Sequence, residues 1–224
     1  MEDGNAKQRE RLVRALPGTH ELIVETALRY VSPSGRALEL GAGSGALTER
    51  IQAAGFQVTA ADIKNYFELN SEFVELDFDD PSFDRRLVPG FDLITSVEVI
   101  EHLENPSAFL RSIERLLKPS GIAILTTPNV ENIPGRLKFF LTGEVRAMDK
   151  RSSEHITPIH LDLFVRQLLP RSGLILVENF VHPRGGFPLT GRRYFVPLFW
   201  IIMPFVKGPT LTGDCHVFIL RKRP

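Results

Sequence analysis

The chain has 224 residues, enough for one well-buried domain and too few for two of ordinary size. Lys+Arg and Asp+Glu balance at 27 each, which excludes the global basic field of a non-specific nucleic-acid binder. The one cysteine, Cys215, excludes an intramolecular disulfide framework. The N-terminus MEDGNAKQRERLVRAL carries mixed charge and lacks the apolar core of a signal peptide, so a cytoplasmic chain is expected.

In chain order, HELIVETALRYV (20–31) has the spacing of a helix, broken by Pro-Ser-Gly. RALEL (36–40) reads as a buried strand, ALTERIQAAG (46–55) as a helix closed by Gly55, and FQVTAAD (56–62) as a second strand ending in an acid. EFVELDFDD (72–80) and FDLITSVE (91–98) supply a third and a fourth strand. NPSAFLRSIERLLKPSG (105–121) is an amphipathic helix, and IAILTTPN (122–129) is the strand after it. Strands alternating with helices at this spacing predict βαβ units and a parallel sheet covered on both faces. The rhythm then changes. Residues 133–160 read as an excursion over the sheet, 160–173 as a helix, and 174–181 and 216–222 as two further strands.

LELGAGSGALTER (38–50) places Gly41, Gly43 and Gly45 between a strand and a helix. Glycines there permit positive φ and let a ligand approach the backbone, and the helix N-terminus adds free N–H groups. Asp62 can accept from both hydroxyls of a ribose. Gly41-x-Gly43-x-x-Ala46 with an acid about 20 residues on also meets a loose dinucleotide fingerprint, so these residues alone leave the nucleotide open.

Three further stretches narrow the choice: Asp77-Phe78 after strand three, VEVIEHLENP (97–106) after strand four and TTPN (126–129) after strand five. With LELGAGSG and Asp62, this set resembles the class I S-adenosylmethionine-dependent methyltransferases of the type 11/23 kind, from about residue 18 to 130. The resemblance implies a doubly wound, Rossmann-like, seven-stranded and mostly parallel sheet with an antiparallel last strand and added lid insertions. It also implies S-adenosylmethionine as cofactor. Gly41, Ala42 and Gly43 would line its methionine end and Asp62 its ribose. Ile63, Asp77 and Phe78 would meet the adenine, and Val97 and Glu98 would close the strand-four side.

Glu98-x-x-Glu101-His102 sets two carboxylates and an imidazole at i, i+3 and i+4, one face of a helical turn. This donor set suits Mg²⁺, Mn²⁺ or Zn²⁺. It resembles the ExxEH element of ubiquinone-biosynthesis O-methyltransferases and of small-RNA 2′-O-methyltransferases, which implies metal at Glu98, Glu101 and His102. The competing reading keeps Glu98 for the cofactor and leaves Glu101 and His102 to pack the turn. His102, and His155 and His160 in EHITPIH, are the candidate catalytic bases, with one of the last two as an alternative fourth metal ligand and His160 as an alternative helix cap. Cys215 reads as a core residue.

YFVPLFWIIMPFV (194–206) is shorter than a membrane span, is interrupted by Pro197 and Pro204, and is flanked by Arg184, Arg192, Arg193 and Lys207. It is expected to touch a membrane interface or a lipid substrate, with lid core and a homodimer contact as alternatives. Arg136, Lys138, Arg146, Lys150 and Arg151 form a second basic cluster, able to bind an anionic acceptor or to face solvent. The expectation is one domain, 1–224, with a cofactor core at 18–130 and acceptor-side lid segments at 130–160 and 183–213. Its function would be O-methylation of a hydrophobic or lipid-linked acceptor, such as a polyprenyl phenol or a lipid-linked glycan, at the inner membrane face. An RNA 2′-O-methyltransferase, which the balanced charge disfavours, and a non-catalytic scaffold are the alternatives, and a nicotinamide dehydrogenase comes last.

Overall fold

The computed structural model of the chain describes residues 13–66, 71–148, 152, 154–183, 208 and 210–223. The elements are α1 (Thr19–Tyr30), β1 (Arg36–Leu40), α2 (Ala46–Ala53), β2 (Gln57–Asp62), β3 (Glu72–Glu75), β4 (Phe91–Val97), α3 (Pro106–Leu116), β5 (Leu117–Pro128), α4 (Ile133–Thr142), β6 (Leu174–His182) and β7 (Cys215–Lys222). Between α4 and β6 runs α5, an α-helical turn Leu161–Leu163 that continues as π-helix Phe164–Leu168 and ends as 3₁₀ turn Leu169–Arg171.

The seven strands lie in the order β3-β2-β1-β4-β5-β7-β6. β1 to β5 pair in parallel, and β7 enters antiparallel to both β5 and β6. This is the doubly wound, Rossmann-like sheet that the sequence implied. Alternation along the strands feeds two cores. Leu38, Leu40, Ala123, Leu125, Phe218 and Leu220 point to the face packed by Phe109, Leu110, Ile113 and Leu116 of α3 and Phe164 and Leu169 of α5. Ala37, Ile122, Ile124, Val217 and Ile219 point to the face packed by Ile23 and Ala27 of α1 and Leu47 and Ile51 of α2. Two-residue periodicity in the sheet and 3.6-residue periodicity in the helices therefore meet on each side.

Several boundaries differ from the sequence reading, each for a local reason. Strand β3 stops at Glu75, because the Asp77 carboxylate accepts from the Asp79 N–H (2.9 Å) and turns the chain. Helix α3 begins at Pro106, where Asn105 accepts from the Ala108 N–H (3.0 Å), but it ends at Leu116 rather than at Pro-Ser-Gly. Leu117 already pairs with Phe91, and the register then jumps to Leu93↔Ile122. Gly121 fits this bulge because a Cβ there would stand 2.8 Å from the Phe91 carbonyl. Within the 133–160 excursion a full helix, α4, is present, capped by Asn132 accepting from Gly135 N–H (2.9 Å). His160 precedes α5 but makes no side-chain cap hydrogen bond.

The apolar stretch 194–206, its flanking cations Arg184, Arg192, Arg193 and Lys207, and Lys150 and Arg151 lie outside the described residues. Among the described residues no helix is long and apolar enough to cross a membrane.

Candidate active site

Parallel strands β1, β2, β4 and β5 end at one edge of the sheet, and the loops that follow them bring most of the sequence-selected residues together. After β1, Gly41, Gly43 and Gly45 all take positive φ (88°, 51° and 77°), which carries the chain tightly into α2. Gly41 N–H and Ala42 N–H both donate to the Ala61 carbonyl (2.8 and 3.1 Å), tying the loop to β2. The Gly43 N–H donates to one Asp62 carboxylate oxygen (2.7 Å), and Ile63 N–H donates to the other (2.7 Å). Asp62 is thereby fixed in direction while each oxygen keeps a second lone pair.

A Cβ added at Gly43 would meet nothing within 4 Å, so the crest of the loop borders open space. A Cβ at Gly41 would stand 2.3 Å from Val99 Cγ2. Val99 therefore wedges against the glycine loop from the β4 side, a contact that no sequence motif announced. Ile63 is 58% exposed, so an apolar surface beside Asp62 lies open. Asp77 is exposed too. The Phe78 ring packs on Phe83 and Phe109 (centroids 5.3 and 5.8 Å), which commits its face to the core. Loop, fixed acid, open apolar surface and open crest suit a nucleoside with a charged tail.

Past Val97, Glu98 takes φ 54°, an uncommon conformation for a residue with a side chain. Its N–H donates to Thr126 Oγ1 (3.1 Å), and the Thr126 hydroxyl lies 3.2 Å from Glu98 Oε1. Burial of this carboxyl pushes its pKa up to about 7, against the hydrogen bond from Thr126 and the charge of Arg146. Glu101 is fully buried, and among the described residues only Thr127 stands near enough to weigh on its carboxylate as a donor, without completing a well-formed hydrogen bond. Its pKa stands well above the usual carboxylate range, first from burial and then from the charge of Glu98. The turn is held from outside by the Ile156 and Thr157 N–H groups, both donating to the Glu101 carbonyl (2.9 Å each).

His102 and His155 meet edge to face with ring centroids 4.5 Å apart. His102 Nδ1 faces the Glu154 carbonyl (3.0 Å) and His155 Nδ1 faces the Ala147 carbonyl (2.7 Å). A carbonyl can only accept, so both rings donate from Nδ1, and the neutral form of such a ring has its lone pair on Nε2. Burial, followed by the neighbouring His155, lowers the His102 pKa and keeps its ring neutral. One donor atom each from Glu101, His102 and His155 lies within 4.8 Å of the others.

This grouping changes the expected metal set in one member. Glu98 turns to Thr126, and His155 stands with Glu101 and His102 instead. His160 is not brought to this cluster: its Nδ1 lies 3.7 Å from Glu131 Oε1, and Glu131 in turn faces the fully buried His216 (3.8 Å). His216 is held neutral, its pKa lowered to about 4 by burial. Cys215 is buried at the start of β7, as expected.

A family model described as a methyltransferase domain (Methyltransf_23) matches residues 7–178. The chain belongs to this family and is an S-adenosylmethionine-dependent methyltransferase of class I. Among its relatives is the ubiquinone biosynthesis O-methyltransferase of Xanthomonas campestris pv. campestris, 35% identical over 113 residues, 46% of this chain and 47% of that protein. The match thus spans about half the length of that relative. Solved structures share the fold. A SAM-dependent methyltransferase from Archaeoglobus fulgidus gives a TM-score of 0.63 at 17% identity, over 91% of this chain and 95% of that one. The 1,6-didemethyltoxoflavin-N1-methyltransferase of Burkholderia thailandensis, solved with 1,6-didemethyltoxoflavin and S-adenosylhomocysteine, gives 0.56 at 16%, over 92% and 77%.

Proposed function

We propose that the chain O-methylates a hydrophobic or lipid-linked hydroxyl acceptor, a polyprenyl phenol or a lipid-linked glycan. In this reading Gly41, Ala42 and Gly43 hold the methionine end of the cofactor and Asp62 its ribose. Ile63, Asp77 and the backbone of Phe78 frame the adenine, and Val97 and Glu98 close the β4 side. The bound cofactor supplies an activated methyl on a sulfonium, so the protein's task is alignment and exclusion of water. The observation that carries the acceptor chemistry is the pair of imidazoles, each with Nδ1 turned to a backbone carbonyl, beside the buried carboxyl of Glu101.

An imidazole so oriented is suited, in its neutral form, to taking the proton of an acceptor hydroxyl at Nε2. The same donors fit a divalent cation, since imidazoles oriented through Nδ1 by carbonyls are the usual form of metal-ligating histidine. Held by Glu101, His102 and His155, such an ion would polarise the acceptor oxygen as a Lewis acid. His160 would serve the acceptor side from beside Glu131. The lipid character of the acceptor is supported by the relative that acts in ubiquinone biosynthesis. It is also supported by the apolar, cation-flanked 194–206, which would rest on the inner membrane face. One domain, 1–224, would carry the cofactor core in 18–130 and the acceptor side in 130–160 and 183–213.

Two titrations test this. S-adenosylhomocysteine should bind the wild type, and Asp62→Ala should weaken it by one to two orders of magnitude, on the order of 1.5–3 kcal/mol for a charge-assisted hydrogen-bonded group. Mn²⁺ followed by electron paramagnetic resonance should report nitrogen ligation that His155→Ala removes while cofactor binding stays intact. Equal affinity of Asp62→Ala would remove the cofactor assignment. Mn²⁺ that remains free would leave the histidines as bases and exclude the ion.

A further inference from the structure

The unused feature with the sharpest pattern is α4. An amphipathic helix of a soluble protein normally turns its apolar stripe inward, and α4 does the reverse. Leu137, Phe140 and Leu141, at i, i+3 and i+4, are 45%, 84% and 68% exposed, and Phe139 beside them is 57% exposed. Ile133 continues the stripe toward the body. The one fully buried residue of the helix is Gly135, whose backbone lies so close to the Val130 carbonyl that a Cβ would stand 2.6 Å from it. The helix is thus clamped to the body by its bare first turn and holds its bulky side chains away from it. A contiguous apolar patch of this kind on a soluble body marks an interaction surface.

Charge selects the occupant. In a chain balanced at 27 and 27, and leaving aside Arg146, which is paired with Asp214, residues 133–151 carry four cations (Arg136, Lys138, Lys150, Arg151) against two acids, Glu144 and Asp149. The chain's own apolar segment is disfavoured as the cover, because residues 184–207 hold Arg184, Arg192, Arg193 and Lys207 and no acid. Yet α4 is anchored where the chain returns from that segment. Ile133 N–H donates to the Leu211 carbonyl (3.1 Å), Asn132 Nδ2 to the Gly213 carbonyl (2.8 Å) and Asn129 Nδ2 to the Thr210 carbonyl (2.8 Å). Like charge disfavours contact between two such segments and attracts both to the same negative surface.

We propose that α4 is a lipid-docking helix, seating Leu137, Phe140 and Leu141 in the interface of an anionic bilayer with Arg136 and Lys138 flanking them at headgroup level. It is a contact separate from 194–206 and does not depend on the acceptor's identity. Cys215 makes a clean probe possible, because it is buried and burial raises its thiol pKa far above the usual value. In Phe140→Cys, a polarity-sensitive nitrobenzoxadiazole label therefore goes to position 140, while the native Trp200 reports on 194–206 independently.

With phosphatidylcholine vesicles containing phosphatidylglycerol, the label should brighten and be quenched by lipid brominated on the acyl chain. Vesicles of phosphatidylcholine alone should do neither. In the unlabelled chain, Leu137→Ser with Leu141→Ser should lower vesicle partitioning about tenfold, and Arg136→Gln with Lys138→Gln should remove its dependence on anionic lipid. These side chains are solvent-facing or pair only at the surface, so circular dichroism should be unchanged. A dark label on vesicles that quench Trp200 would overturn the α4 proposal and leave the 194–206 contact standing. A bright label without lipid would also overturn it: if brightness grows with protein concentration, a second copy occupies the stripe, and if it does not, the chain covers the stripe itself.

Discussion

Glu39 stands in the middle of β1, 3% exposed, with the Thr48 hydroxyl of α2 donating to its carboxyl. Burial pushes its pKa up to about 8, the Thr48 hydrogen bond opposing and the charge of Asp62 adding. In the unfolded chain the group ionises near 4.5. Below that pH both states hold the proton and nothing is lost. From pH 4.5 to about 8 the unfolded chain releases a proton that the folded one keeps, so folding is progressively weakened, by a few kcal/mol at about pH 8. Glu39→Gln, which keeps an acceptor for Thr48, should raise the unfolding free energy in urea by an amount that grows between pH 5 and 8. A gain that is flat across that range would show that Glu39 is ionised in the fold. The glycine loop and the acid that ends β2 were legible in the sequence because a tight strand-to-helix turn demands positive φ and the Asp62 carboxylate accepts from that turn. Glu39 was not, since it reads as an ordinary residue of RALEL until its side chain is seen to face α2. His155 was selected as a base or fourth ligand, but that it displaces Glu98 beside Glu101 and His102 follows from where the 143–160 chain returns, and no local pattern encodes that.

The loop after β1 and the turn after β4 meet at Gly41 against Val99. Two separate penalties are therefore expected in Gly41→Ala. Its φ of 88° costs an alanine about 1–2 kcal/mol, and the methyl against Val99 adds overpacking of about 1–3 kcal/mol. Val99→Ala in the same chain should recover the second penalty and leave the first, so a double-mutant cycle read by chemical denaturation should show coupling above about 1 kcal/mol. Strict additivity would mean that the loop and the turn do not bear on each other. At this scale the sequence spoke clearly where periodicity and partner agreed, as in α1, α3, β1 and β4. It failed where neighbours overrode it. β5 starts at Leu117 because Phe91 offers a pairing partner there, and the straight helix expected over 160–173 is wound as α, π and 3₁₀ pieces. Helix α4 was read only as part of an excursion, because it opens on Pro134 and Gly135 and its apolar stripe has no core to face.

Across the whole molecule the loops proposed to hold the cofactor follow parallel strands of one sheet, so a ligand seated there would bind the folded sheet and not the unfolded chain. S-adenosylhomocysteine at about 100 times its Kd should add about 2.7 kcal/mol of stability and raise Tm by about 5–10 °C. A wild-type melting curve unmoved by saturating ligand would detach the cofactor from the fold. The strand order carries another consequence, for biosynthesis. Among the described residues β6 has no neighbour in the sheet but β7, and β7 lies between it and β5. A chain leaving the ribosome N-terminus first therefore exposes β6 before anything exists for it to pair with, and β5 keeps an open apolar edge over the same interval. Residues 183–214 must be made before either edge can be closed. The inner edge of β6 and the free edge of β5 are then sealed together when the last strand slides in, so the nascent protein passes through a stage with β6 unpaired and β5 paired only to β4, the stage at which a holdase chaperone would have the most to protect.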